Sequence, residues 1–203
     1  PTEVAWRHGR VLQLTAGLTG APTLRRVLQT MVDAPYGAAP DAAWYRLLAR
    51  TMKAAYVERL AGLGADEPAE PKGAETCTTH ITACDAEGGM VALTTTLMSS
   101  FGSRVALPGT GIMLNNGIMW FDPRPGQPNS IAPGKRPLTN MCPVIMKYND
   151  RPVLAAGASG GRRILGAVFQ VLTAIADFGM TPEQAAHHPR IDVSSAEECN
   201  ADQ

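Results

Sequence analysis

Apolar residues recur in two rhythms along this chain, and the change of rhythm divides it. Trp44, Leu48, Met52, Tyr56, Leu60 and Leu63 return every three or four positions, the spacing of one face of an α-helix. Arg46, Arg50, Lys53 and Glu58 fall mostly off that stripe, Asp41 is placed to cap its start, and Gly64 is placed to stop it. Gly20-Ala21-Pro22 introduces an earlier helix running to about Val32, with Pro22 in its first turn. Ahead of both, Val4–Arg7 and Arg10–Thr15 read as a hairpin around His8-Gly9.

Residues 65–76, ADEPAEPKGAET, form a polar connector with two prolines. Beyond it the pattern is that of sheet. Thr78–Cys84 and Met90–Leu97 are expected to pair around Asp85–Gly89, and Gly111–Leu114 is a third short run. Asn115–Asn140 holds five prolines and reads as a long irregular loop, a kind of segment that is usually functional in a compact domain. Val144–Tyr148 and Pro152–Ala156 make a second hairpin. Arg162 to Phe178 reads as a long helix, apolar nearly all round and so packed on both sides. Thr181-Pro182-Glu183-Gln184 is a capping box opening one more short helix, and the last ten residues read as frayed. Helices layered on antiparallel sheet, with no internal repeat, place the chain in the α+β class.

Composition narrows the partners. The 203 residues carry 18 basic and 18 acidic side chains with no basic tract, which argues against nucleic acid. The longest apolar stretch, Ile164 to Phe178, is too short to span a bilayer, so no membrane partner is expected. Cys77, Cys84, Cys142 and Cys199 have neither zinc nor redox spacing, and their even number does not establish disulfides. The chain starts at Pro1 with no signal-like segment before Val4, and reads as a piece or a processed product whose compartment stays unassigned.

Several constellations could carry chemistry. Gly157-Ala158-Ser159-Gly160-Gly161 lies between a strand and a helix, where unpaired backbone N–H groups favour negative charge. It could be a phosphate cradle, an oxyanion hole or simply a tight turn; Arg162-Arg163 does not supply the Lys-Ser/Thr of a phosphate loop. His187 and His188 are adjacent and point to different faces, so no metal is expected. No Gly-x-Ser-x-Gly elbow occurs. A threonine nucleophile remains: a hydroxyl needs a base, and a Thr freed at a chain start carries one in its own α-amine. Thr78, which follows the connector and begins a strand, suits that role beside the plainer reading of a strand threonine.

The motifs TTHITACDAEGGMVALTTTL, FGSRVALPGTGIMLNN, FDPRPGQPN, KRPLTNMCP and GASGGRRI stand in order, and with TMKAAYVER in the second helix they extend over roughly residues 20–192. Together they resemble the γ-glutamyltransferase family of N-terminal-nucleophile hydrolases, in a divergent acylase-like branch. The resemblance implies a four-layer αββα sandwich, present here in part. It implies a precursor cut at Cys77–Thr78, with residues 1–77 the tail of a large subunit, residues 78–203 most of a small one, and the two associated as a heterodimer. It makes Thr78 the nucleophile toward a small-molecule amide, Thr96 its supporting hydroxyl, and Gly160 and Gly161 the oxyanion hole, with no cofactor.

The substrate positions depart from the family pattern. Met98 stands in place of an Asn that contacts substrate. After Asn115-Asn116, Gly117 replaces Gln or Glu and Trp120 replaces an ammonium-binding Asp, while Thr139 and Asn140 replace a Ser pair. The loop from Asn129 to Lys135 is shorter than in true γ-glutamyl enzymes. Arg104 is a candidate carboxylate anchor beside the plainer reading of a surface arginine. The expectation is a self-processing amidohydrolase taking a simpler acyl amide, such as a glutaryl amide or oxamate, because a site without the carboxylate loses its partner for an ammonium. A true γ-glutamyltransferase and an inactive unprocessed fragment are the alternatives.

Overall fold

The computed structural model describes residues 1–17, 19–63, 76–194 and 200–202. Strand β1 (Thr2–Trp6) and β2 (Arg10–Leu14) form the first hairpin, joined by a short 3-10 turn in which His8 takes φ 57°. Helix α1 (Gly20–Met31) and α2 (Ala42–Leu63) follow; the backbone N–H of Trp44 donates to Asp41 Oδ1 at 2.8 Å, the expected cap. The connector falls on residues outside those described. Strand β3 (Thr76–Cys84) pairs antiparallel with β4 (Met90–Ser99), and β5 (Val144–Tyr148) with β6 (Arg151–Ala156). A 3-10 turn over Gly161–Arg163 leads into α3 (Ile164–Ala176), and α4 (Pro182–His187) has the reciprocal capping box of Thr181 and Gln184.

The first hairpin joins the last in one antiparallel sheet of order β1-β2-β5-β6, while β3 and β4 form a separate two-stranded sheet. Alternation decides which side chains go inward. Val4, Leu12 and Met146 lie in register across the four-stranded sheet, and Leu14 lies opposite Val144; all are buried in one cluster with Leu24, Met31, Leu48 and Phe169 from the three long helices. Phe169 is fully buried, meeting the Trp6 ring edge-on at 6.0 Å and stacking near Trp44 at 6.5 Å. Nine of the thirteen α3 residues are buried, as its all-round apolarity requires.

Two expectations need correction. Gly111–Leu114 is not a strand: Met113 forms one isolated bridge to Ala106. Gly109 and Gly111 take φ of 77° and 70°, which turns the segment back on itself so that the Leu107 N–H reaches the Ile112 carbonyl. The end of the chain is not uniformly frayed either, since β7 (Arg190–Asp192) pairs with β8 (Asn200–Asp202). Residues 195–199 lie outside those described.

The β3–β4 hairpin is more open than the main sheet. Thr78, His80, Ala92, Thr94 and Thr96 share one half-buried face, and Thr79, Ile81, Val91, Leu93 and Thr95 share an exposed one. Ile81, Val91 and Leu93 stay more than half exposed, a contiguous apolar strip of the kind that marks an interaction face. No helix among the described residues is long and apolar enough to cross a membrane.

Phe169→Ala should lower stability by about 3–5 kcal/mol, the cost of emptying a buried aromatic site, whereas Val57→Ala, two-thirds exposed on α2, should change it by less than about 0.5 kcal/mol. Denaturant titration of the two variants checks this contrast.

Candidate active site

The half-buried face of β3 and β4 begins with an irregularity. Cys77 lies opposite Met98 but Thr78 lies opposite Thr96, so Leu97 is an extra residue and the register shifts at the Cys77–Thr78 bond. The bulge sends the Leu97 carbonyl toward the Asn116 N–H at 3.2 Å and leaves Met98 at φ 72°. That is a left-handed conformation disfavoured for a long side chain, and strain of this kind collects at functional sites.

The bulge brings three groups onto one hydroxyl. Thr78 Oγ donates to Thr96 Oγ at 3.0 Å, the Met98 N–H donates to the same oxygen at 2.8 Å, and Thr96 Oγ donates to the Cys77 carbonyl at 3.0 Å. A threonine hydroxyl has one proton to give and two lone pairs to accept with, and all three are used. Thr96 therefore has a fixed orientation. It draws on the carbonyl of the Cys77–Thr78 bond while it holds the Thr78 proton, which leaves the Thr78 oxygen lone pairs free.

His80 extends this face. Its Nδ1 lies 2.8 Å from Thr94 Oγ, and burial pushes its pKa below the usual histidine value, so the ring is held neutral. Sequence reasoning left both His80 and Thr94 without a role. The signal was present: positions 78 and 80 of one strand and 94 and 96 of its partner share a face.

The glycine turn follows β6. Gly160 and Gly161 adopt φ of 121° and 56°, a backbone that a side chain would strain. The Gly160 carbonyl accepts from the Arg163 N–H, and Tyr56 Oη donates to the Arg162 carbonyl at 2.7 Å, tying the turn to α2. At the other end of the turn, Gly157 lies against the His80 ring.

The remaining expected positions separate into two groups. Asn116 is a clasp for the end of β4: its Oδ1 accepts from the Ser99 N–H at 3.1 Å and its Nδ2 donates to Ser99 Oγ at 2.8 Å. Gly117 and Trp120 are packed together, since a Cβ at Gly117 would fall 3.0 Å from the Trp120 indole. The two departures from the family pattern thus form one structural unit. The loop that holds Trp120 is ordered by its own polar side chains: buried Asn129 donates to the Trp120 carbonyl at 2.6 Å and accepts from the Leu138 N–H at 3.1 Å, and Asp122 pairs with Arg124 at 2.7 Å. Thr139 and Asn140 bond instead toward the helices. The Thr139 carbonyl accepts from Thr19 Oγ and from buried Arg59, and Asn140 Oδ1 accepts from Arg59 at 3.0 Å. Arg104 is exposed, on a left-handed turn at φ 60°.

No group of three or more potential metal ligands occurs among the described residues. His188 instead contacts Tyr45 Oη at 3.1 Å. Cys77, Cys84 and Cys142 are free.

Known proteins resemble this chain in sequence and in fold. The chain is 40% identical over 118 residues to the glutathione hydrolase proenzyme of Bacillus subtilis (strain 168), covering 58% of this chain and 20% of that protein. It is 39% identical over 131 residues to the Acylase ACY 1 proenzyme of Pseudomonas sp. (strain SE83), covering 64% of this chain and 22% of that protein. The chain thus spans about a fifth of the length of these curated relatives. The crystal structure of cephalosporin acylase from Bacillus halodurans superimposes with a TM-score of 0.76 over 94% of this chain and 40% of that one, at 23% identity, a likeness of fold alone. A gamma-glutamyltranspeptidase family profile matches residues 52–199. That match takes in the second half of the second helix, the bulged hairpin, the long loop and the glycine turn, and this chain belongs to the gamma-glutamyltranspeptidase family.

Proposed function

We propose that this chain is the catalytic portion of a self-processing amidohydrolase whose nucleophile is Thr78. The observation that carries the reading is the double engagement of Thr96 Oγ, with the Thr78 hydroxyl on one side and the Cys77 carbonyl on the other. In the uncut chain, Thr78 Oγ attacks the Cys77 carbonyl carbon, the peptide nitrogen leaves as an amine, and an ester joins Cys77 to the Thr78 side chain. Thr96 stabilises the developing oxyanion by its hydrogen bond. Water then hydrolyses the ester and leaves Thr78 with a free α-amine.

In turnover that amine takes the hydroxyl proton as Thr78 Oγ attacks a substrate amide. The tetrahedral oxyanion is received by the N–H groups of Gly160 and Gly161, the amine product departs with the proton, and water releases the acyl group. Residues 1–77 belong to a large subunit and residues 78–203 to a small one, which stay associated after the cut. The four-stranded sheet and the β3–β4 sheet become the inner layers of an αββα sandwich. The exposed strip of Ile81, Val91 and Leu93 supports this, since the rest of the longer parent protein is the natural cover for it.

The substrate is an acyl amide without the α-ammonium of a γ-glutamyl group. Gly117 and Trp120 support this choice, because the indole fills the space beside a residue with no side chain and neither supplies a carboxylate. Met98, whose backbone N–H bonds Thr96, likewise carries no side-chain group that could hold an ammonium.

In the complete protein, Thr78→Ala should abolish both cleavage and turnover, and Thr96→Val should slow cleavage by about 100-fold, the usual effect of losing one oxyanion donor; gel analysis of precursor decay checks both. With the processed parent, glutaryl-p-nitroanilide should be hydrolysed with a kcat/KM about tenfold or more above γ-glutamyl-p-nitroanilide, and Trp120→Asp should narrow that ratio by restoring an ammonium partner. A clear preference of the parent for the γ-glutamyl donor would sink the substrate assignment and favour a glutathione hydrolase.

A further inference from the structure

His80 stands two residues beyond Thr78 on the same face of β3, and its ring reaches the glycine turn. A Cβ placed on Gly157 would fall 2.2 Å from His80 Cε1 and Nδ1 and 2.7 Å from Cγ. All three of the atoms nearest that position belong to the imidazole. Gly157 also lies outside the left-handed region, so close approach to the imidazole, and not a positive φ, is what favours glycine there. The ring is held from β4 by the bond between Nδ1 and Thr94 Oγ at 2.8 Å. Nε2 is buried without a hydrogen-bond partner among the described residues, so Thr94 sets the orientation of the ring.

This packing links β3 directly to the turn that bears Gly160 and Gly161. The turn is fastened at its far end through Tyr56 and the Arg162 carbonyl. Its near end is fastened where Gly157 meets His80. Placing an oxyanion donor demands tolerances well under 1 Å, and a misplacement of about 1 Å costs about 100-fold in rate. A ring standing on the nucleophile's own strand transmits the position of Thr78 to the donors.

We propose that His80 is a positioning residue for the proposed amide hydrolysis: its imidazole, held by Thr94, packs on Gly157 and sets the Gly160-Gly161 turn relative to Thr78. This rests on the reading of Thr78 as nucleophile. His80 carries no proton in the reaction; its ring acts through shape. A neutral imidazole suits that use, because a charged ring packed on backbone would have to be solvated.

The test is a double-mutant cycle in the complete protein, read as cleavage at Cys77–Thr78 and as kcat and KM separately for glutaryl-p-nitroanilide. Gly157→Ala should lower kcat by about 10- to 100-fold with KM little changed, because the methyl group displaces the ring or the turn. His80→Ala should lower kcat likewise. The double variant should be about tenfold better than the product of the two single losses, since removing the ring makes room for the methyl. His80→Asn, which keeps a polar atom near Nδ1, paired with Gly157→Ala provides the same contrast where His80→Ala does not yield soluble protein. Multiplicative effects, or a Gly157→Ala variant with unchanged kcat, overturn the proposal. Failure of the wild-type protein to cleave at Thr78 would instead overturn the nucleophile assignment, and the wild-type lane reads that out independently.

Discussion

One hydroxyl organises this structure. Thr96 Oγ accepts from Thr78 and from the Met98 N–H and donates to the Cys77 carbonyl, which exhausts its hydrogen-bonding capacity. A group so fully committed has one orientation, and orientation is what a nucleophile and its target carbonyl need. The arrangement exists because β4 carries one residue more than β3 at this point. Thr96 lies opposite Thr78 by the unbroken register from the hairpin turn, but without the bulge Cys77 would lie opposite Leu97 instead of Met98, and Met98 would have no reason to take a left-handed backbone. The local irregularity and the proposed chemistry are thus the same feature seen at two scales.

That hairpin depends in turn on an asymmetry in burial. The four-stranded sheet has a conventional core, in which Phe169 of α3 meets Trp6 of β1 and Trp44 of α2. The β3–β4 pair has a half-buried polar face and an exposed apolar one. Polar groups lie where a packed protein would ordinarily bury apolar ones. This inversion fits the proposed chemistry, in which the polar face carries Thr78 and Thr96 and the apolar face is one for another part of the protein to cover.

Much of the fold was legible in the sequence because it rests on short-range rules. The stripe in α2 from Trp44 through Leu48 and Met52 to Tyr56, the Asp41 cap, the Thr181–Gln184 box and the hairpins each follow from local spacing, and each is present. Gly111–Leu114 misled because its apolar residues suggest a strand, while its glycines take positive φ and close a loop. The pairing of β8 with β7 was missed because three residues carry no periodic signal. The candidate site was legible only through resemblance. Propensity cannot tell Thr78 from Thr79, since what separates them is the face each occupies and the bulge beside it. His80 escaped for a similar reason: its partner, Gly157, is distant in sequence. Gly117 and Trp120 were each visible as departures, but their packing against one another appears only in three dimensions.

The proposed chemistry stands or falls on Thr78 cutting the chain before itself and then working as an N-terminal residue. The most direct measurement is mass mapping of the mature small chain from the complete protein, with N-terminal sequencing of the same band. The account predicts a new chain beginning Thr-Thr-His at Thr78 and a large-subunit fragment ending at Cys77. A single uncut species after long incubation, or a new chain beginning at any other residue, would contradict it.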